Sequence, residues 1–103
     1  MINTVVLQGR LTATPELRKT PNGVSVCTFS LACDCYNGKE KVTEFINCVA
    51  WRATADFVVK YFNKGELIAV DGRLSTRSYT KDNIKRYVVE VLVEQVHFCE
   101  KKR

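Results

Sequence analysis

Residues 43–51 have the sequence TEFINCVAW, in which two kinds of side chain alternate. Alternate side chains of a β-strand point to opposite faces, so this pattern predicts a strand with two different faces. One face carries the apolar residues Ile46, Cys48 and Ala50, which suit a core. The other carries Phe45, Asn47, Val49 and Trp51. Its two large rings need a cover, for which the candidates are a second sheet, a partner subunit or the bases of a nucleic acid.

The composition indicates one packed, basic domain. The chain has 103 residues, of which 46% are hydrophobic, as is usual for a single core. Sixteen Lys and Arg against eleven Asp and Glu give a net charge of +5. This balance favours an anionic partner, with nucleic acid first and a membrane surface second. The membrane alternative is weaker, because a surface-bound helix needs a long basic face and the one helical pattern here has mixed charge.

The ends and apolar runs of the chain predict a cytoplasmic protein without a membrane partner. No apolar run approaches the roughly 18 residues that a membrane-spanning helix needs. Residues 1–8 lack the charged front and the long apolar centre of a secretory signal.

The five cysteines are expected to be reduced and mostly used as core residues. They form an odd-numbered set in a chain without a secretory signal: Cys27, Cys33, Cys35, Cys48 and Cys99. A zinc site built from Cys33, Cys35, His97 and Cys99 would lack the usual spacing of two intervening residues. We expect no metal and no cofactor.

Hydrophobic periodicity divides the remaining chain into strands around one helix. The pattern predicts strands at 5–12, 24–36 and 67–77, and a last strand at 88–98 that is apolar on both faces except at Glu90 and Glu94. The spacing of Ala55, Val58, Val59 and Phe62 predicts a helix at about 53–63, with Gly65 where a C-cap glycine belongs. Gly9 and Gly72 lie inside predicted strands, where a glycine usually marks a bulge, a bend or a close backbone approach.

A long, basic hairpin is predicted at residues 76–87, turning at Asp82-Asn83. Between Arg73 and Tyr87 there are five basic residues and one acidic residue. The basic residues are Arg73, Arg77, Lys81, Lys85 and Arg86, interleaved with Tyr79. Most of the excess positive charge therefore lies on one strand and its hairpin, which is typical of a nucleic-acid-binding surface.

The order of these elements predicts an OB-fold. Five strands, one helix between the third and fourth, and a long hairpin between the fourth and fifth give an all-β, five-stranded Greek-key barrel. We expect this domain to cover residues 1–100 and a short, basic, disordered end to follow at 101–103. A five-stranded SH3-like barrel is the competing architecture.

Several short motifs follow one another along the chain. They are VVLxGRLT at 5–12, PELR at 15–18, TPNGV at 20–24, EFINCVxW at 44–51, KG at 64–65, VDGRLxTRxY at 70–79 and YVxEV at 87–91. Together they resemble the bacterial single-stranded DNA-binding protein family, from Met1 to about Phe98. The resemblance rests on many motifs in one order, which makes it far more specific than any single motif.

The resemblance implies an OB-fold protomer of a homotetramer, or else of a dimer. Such a protein binds single-stranded DNA without sequence preference and serves replication, recombination and repair at the nucleoid. In the family, bases stack on aromatic residues at positions that fall on Tyr36, Phe45, Trp51 and Tyr79. The family's backbone-contacting cations fall on Arg10, Arg18, Arg52, Lys64, Arg73 and Arg77. The charge of the hairpin adds Lys81, Lys85 and Arg86 to this set.

Two departures from the family pattern affect these expectations. The family commonly carries a long tail with an acidic tip that recruits replication and repair enzymes, whereas this sequence ends in a basic segment at Arg103. Recruitment of other replication proteins is therefore not expected. Some members have tryptophan where Tyr36, Phe45 and Tyr79 stand, so stacking on each base is expected to be weaker here.

Two other functions remain open from the sequence, and catalysis is not expected. An OB-fold adaptor in a replication complex would use the aromatic face as a protein interface. An RNA-directed binder would use the same stacking and phosphate contacts, since both polymers offer them. An enzyme is not expected, because His97 is the one histidine, has no recognisable nucleophile partner, and no Gly-rich phosphate loop accompanies it.

Overall fold

A computed structural model describes residues 1–100, and the predicted disordered end at 101–103 lies outside the described residues. Six strands and one helix follow one another. They are β1 (Val5–Leu11), β2 (Arg18–Lys19), β3 (Ser25–Asn37), β4 (Glu40–Trp51), α1 (Arg52–Tyr61), β5 (Leu67–Lys81) and β6 (Ile84–Phe98). The helix has ten residues, and within the described range no helix is long and apolar enough to cross a membrane.

Five of the strands close into a barrel, which confirms the prediction of an all-β OB-fold. Their order is β1-β5-β6-β4-β3, and pairing between β1 and β3 closes the ring. All of these pairings are antiparallel except that of β4 with β6, which is parallel. The helix α1 lies between the third and fourth barrel strands, as predicted. The additional two-residue strand β2 pairs with the start of β3.

The barrel core is formed by the faces that alternation predicted. From β3 and β4 it receives Cys27, Leu31, Cys48 and Ala50, and from β5 it receives Ile68 and Val70, all almost fully buried. The helix packs Ala55 and Val58 against this core. Burial of each such side chain contributes about 1–3 kcal/mol relative to leaving it in water.

The helix ends earlier than predicted, and Gly65 is not its cap. Phe62 is the C-cap residue in an extended conformation, and its N–H still bonds to the carbonyl of Val58. Gly65 instead occupies the following turn with φ of +85° and donates its N–H to the Leu11 carbonyl at 2.8 Å. This turn connects α1 to β5 of the barrel.

Gly9 and Gly72, the two glycines inside strands, lie where the backbone of a neighbouring strand approaches closely, as predicted. A Cβ on Gly9 would lie 2.8 Å from the Ala32 carbonyl oxygen. A Cβ on Gly72 would overlap the Leu92 carbonyl oxygen, beside a register shift in which Gly72 pairs with Val93 while Asp71 pairs with Gln95. Glu94 is therefore the extra residue of a β-bulge.

The two long hairpins extend beyond the barrel. The β5–β6 hairpin turns at Asp82-Asn83, with φ values of 54° and 63°, as a type I′ turn requires. Its arms continue β5 and β6 without interruption. The β3–β4 hairpin pairs continuously from Val26 with Trp51 out to Asn37 with Glu40, so β4 begins three residues earlier than the sequence pattern suggested.

Candidate nucleic-acid interface

Three of the four predicted stacking residues lie on the outer face of the β3–β4 hairpin. Phe45 and Trp51 are six positions apart on β4, an even spacing, and Tyr36 of β3 is directly opposite Lys41, four positions before Phe45 on β4. Directly opposed residues in an antiparallel pair share a face. The exposed fractions are 74% for Tyr36, 67% for Phe45 and 42% for Trp51. No other part of residues 1–100 buries these three rings.

The rings are spread along the hairpin and not clustered. At about 3.3 Å per residue, Phe45 and Trp51 are roughly 20 Å apart along β4, and the position opposite Tyr36 is about 13 Å beyond Phe45. A track of this length suits an extended polymer and is too long for one small molecule.

An open groove runs beside Trp51 across the outer face, and we call it the central groove. It has two adjoining parts of about 500 Å³ each, and Arg18, Thr28, Arg77 and Glu90 line both of them. Val49 and Trp51 line one part and Asn47 lines the other. The groove thus joins the outer face of β4 to β2, β5 and β6.

Arg77, which lines both parts of this groove, is paired with an acid that was not among the predicted site residues. Its Nε donates to Oε1 of Glu90 at 3.0 Å. The Glu90 side chain is 10% exposed, whereas that of Arg77 is 57% exposed. The available signal was the presence of this acid inside the apolar run at 88–93.

The basic hairpin distributes its charge over both faces, and the pairing of β5 with β6 shows which cations share a face. Arg77, Tyr79 and Lys81 of β5 share the outer face with Arg86, because Tyr79 pairs with Arg86. Lys85 pairs with Thr80 and therefore lies on the opposite, inner face. There its Nζ stands 5.4 Å from the centre of the Tyr87 ring. Lys85 is thus separated from the rest of the predicted set.

The remaining predicted cations surround the groove at different distances from it. Arg73 lies opposite Leu92 on the outer face and is exposed. Arg10 lies opposite Ala32, in line with Phe45, but its Nη1 already donates to the Gly65 carbonyl at 3.0 Å and to Glu100 at 3.3 Å. Arg52 and Lys64 are exposed at the two ends of the α1 region and do not line the groove. Arg52 has φ of 58° and follows Trp51 directly.

One acid lies among the aromatic residues. Asp34 is opposite Thr43, between the positions of Tyr36 and Phe45 on the outer face. The Thr43 hydroxyl donates to it at 2.8 Å and Lys41 pairs with it at 3.3 Å. These two hydrogen bonds, the Thr43 one first, lower the pKa of Asp34 below its ordinary value. The Asp34 carboxylate is therefore ionised near neutral pH and adds a negative charge to the outer face.

The cysteines are free thiols inside or beside the barrel. Burial raises the pKa of Cys48 to about 12, with smaller contributions from Cys33 and Glu90. Burial also raises the pKa of Cys27, Cys33 and Cys35. His97 bonds through Nε2 to Asp71 at 2.9 Å. Within residues 1–100 no group of three or more potential metal ligands comes together.

Comparison with known proteins gives one consistent result. The model of the single-strand binding protein family matches residues 2–99. The single-stranded DNA-binding protein of Bacillus cereus is 52% identical over an alignment that covers 97% of this chain and 61% of that protein. Single-stranded DNA-binding protein A of Bacillus subtilis is 49% identical, with 99% of this chain and 62% of that protein covered. Single-stranded DNA-binding protein 1 of Staphylococcus aureus is also 49% identical, with 99% and 64% covered.

The match extends over nearly all of this chain but not over all of its relatives. The chain spans about three fifths of the length of the Bacillus proteins. What matches is the whole closed barrel, including the strands that carry the exposed rings and the central groove. The chain belongs to the single-strand binding protein family.

Proposed function

We propose that this protein binds single-stranded DNA without sequence preference. The observation that carries the proposal is the exposure of Phe45 and Trp51 on one barrel face, beside a groove containing Arg18 and Arg77. Single strands offer unpaired base faces, which duplex DNA hides within its stack. A row of exposed rings next to cations therefore suits a single strand.

Base stacking supplies the part of the affinity that does not depend on sequence. Every base has a π-face, and each stacked base contributes about 1–3 kcal/mol, a range based partly on proteins of this family. We assign stacking to Tyr36, Phe45, Trp51 and Tyr79, which are all at least 42% exposed. Tyr79 lies on the outer face of the basic hairpin, where it would extend the track across β5.

Phosphate contacts supply the salt-dependent part of the affinity. The cations nearest the stacking track are Arg18, Arg73, Arg77, Lys81 and Arg86, on or beside the outer face. Arg10, Arg52 and Lys64 would extend the backbone path along the barrel. Each neutralised phosphate should contribute about −0.7 to the slope of log K against log salt.

We further propose that the protein is a homotetramer. The β5–β6 face that forms core inside the barrel continues outside it, where Leu74, Val89 and Tyr87 are 48%, 59% and 72% exposed. Contact with other copies would cover this apolar strip. Sedimentation equilibrium would test it: Val89→Glu should lower the mass, whereas Ile84→Glu on the outer face of the hairpin should not. An unchanged mass in both variants would count against this interface, and a wild-type dimer would correct the stoichiometry.

Its cellular role follows from this binding. We propose that the protein protects and organises single strands during replication, recombination and repair, in the cytoplasm and at the nucleoid. Its role there is binding and not catalysis. Its own chemistry consists of ring stacking and ion pairing.

Fluorescence of Trp51, the one tryptophan, provides the direct test. An unstructured DNA strand should quench it at far lower concentration than duplex DNA of equal length. Equal quenching by both would contradict the proposal. Competition with an RNA of matched sequence distinguishes an RNA-directed protein, for which RNA would displace the DNA strand. A protein adaptor would show no quenching by either polymer.

A further inference from the structure

Among residues 1–100, Glu90 is the one charged residue that is buried. An ionised carboxylate in the interior is costly unless it is paired and hydrogen-bonded. Its partner, Arg77, is more than half exposed, and ion pairs with such partners contribute little to folding stability. The position is also unfavourable for an anionic ligand, because Glu90 lines both parts of the central groove. Neither folding stability nor attraction of an anionic ligand accounts for Glu90, so its role lies in how the groove binds its ligand.

The geometry of the pair leaves the binding end of Arg77 unoccupied. Glu90 accepts its hydrogen bond from Nε, the inner nitrogen of the guanidinium group. A guanidinium group has five N–H donors, so four remain on Nη1 and Nη2. Within the described residues these terminal nitrogens have no acceptor. A side-on contact of this kind fixes the plane of the guanidinium group while its outer edge remains able to bind a phosphate in bidentate fashion.

We call the part of the groove lining around Glu90 the groove floor. The carboxylate makes this floor unsuitable for phosphate. Beside Glu90 the groove is lined by Val49, Val88 and Asn47, which suit the face and edge of a base. A phosphate placed there would stand next to a partly desolvated negative charge, where repulsion is only weakly screened. Bases would then face the floor, and phosphates would follow the rim near Arg18 and Arg77.

We infer that Glu90 is a positioning residue that orients Arg77 toward the DNA backbone and excludes phosphate from the groove floor. This inference rests on the proposed function, since it concerns the orientation of single-stranded DNA in the same groove. It reverses the simple electrostatic expectation. Removing a negative charge from an anion-binding site ordinarily tightens binding, whereas removing Glu90 should weaken it.

A double-mutant cycle tests this inference, with titration of an unstructured oligonucleotide over a series of salt concentrations. The variants are Glu90→Leu, Arg77→Ala and the double variant, each checked for folding by circular dichroism and thermal melting. Leucine fills much of the volume and suits a mostly buried position. Arg77→Ala should weaken binding about tenfold, as expected for a hydrogen bond to a charged group. It should also reduce the magnitude of the salt slope by about 0.7.

Glu90→Leu should lower the affinity about threefold to tenfold in the wild-type background and reduce the salt slope as Arg77→Ala does. In the Arg77→Ala background it should cause no further loss. Glu90→Gln retains an acceptor for Nε and should bind more tightly than Glu90→Leu. If the leucine variant does not fold, the glutamine variant takes its place in the cycle, with a smaller loss that again disappears without Arg77.

Three results would overturn the inference in recognisably different ways. Tighter binding by Glu90→Leu would mean that the carboxylate only repels DNA. Equal losses with and without Arg77 would mean that Glu90 acts through the fold or by direct contact. No effect of Arg77→Ala, with strand-specific quenching of Trp51 intact, would remove the groove from the DNA path while leaving the binding function in place.

Discussion

Gly72 of β5 lies directly against the backbone of Leu92 on β6, so closely that a single methyl group would overlap the Leu92 carbonyl oxygen. The register of the two strands shifts at this point, and Glu94 is the extra residue. Val91 and Val93 face the core before the bulge, and Val96 packs against it afterwards. The close approach of Gly72 thus accompanies the change of face along β6.

Replacing Gly72 with alanine should destabilise the barrel by about 2–4 kcal/mol, because the obstacle is backbone that cannot rotate away. Chemical denaturation would measure the loss. Gly38→Ala is the matched control: it meets open space but has φ of +69°, so it should cost only about 1 kcal/mol. Equal losses in the two variants would contradict the role of close approach.

The bulge also explains where sequence patterns succeeded and where they failed in predicting the fold. Alternation along β3 and β4 identified their core faces, since neither strand is interrupted. Along β6 the residues that face the core have odd numbers up to Val93 and even numbers from Val96, because the bulge exchanges the two faces partway. A residue pattern cannot locate such a shift without the partner strand.

The candidate site could be predicted where it depends on one strand and not where it depends on several. The shared face of Phe45 and Trp51 follows from their spacing on β4 alone. Lys85 and Arg86 are consecutive and must point to opposite faces, but which of them shares a face with Arg77 depends on the register of a 15-residue strand against its partner. The ion pair of Glu90 with Arg77 depends on the pairing of β6 with β5. These relationships exist only in the folded barrel.

Phe45→Ala should weaken binding of single-stranded DNA by about 1–3 kcal/mol, the contribution of one stacked base. Its effect on stability should be small, since the ring is 67% exposed. Quenching of Trp51 reports the affinity directly. Val42→Ala removes an exposed apolar side chain from the other face of the same strand and should leave the affinity unchanged. Wild-type affinity in Phe45→Ala would exclude this ring from the track.

Arg86→Ala and Lys85→Ala remove neighbouring charges from opposite faces of the hairpin. Only the arginine shares the outer face with Tyr79, so Arg86→Ala should weaken binding and reduce the salt slope by about 0.7. Lys85→Ala should change neither value appreciably. Titrations at several salt concentrations measure both. Equal slopes for the two variants would show that the strand also contacts the inner face.

Alkaline pH should destabilise the protein through Cys48. Its pKa in the folded protein is about 12, raised chiefly by burial from an ordinary value of 9.0. Between these values the unfolded chain releases the thiol proton and the folded protein retains it, so the free energy of unfolding falls as pH rises. Thermal melting from pH 8 to pH 11 should therefore show a falling Tm. Cys48→Ala should lower stability at pH 8 through the lost packing, yet show a shallower fall with pH. A parallel decline in both proteins would assign the alkaline transition to other groups.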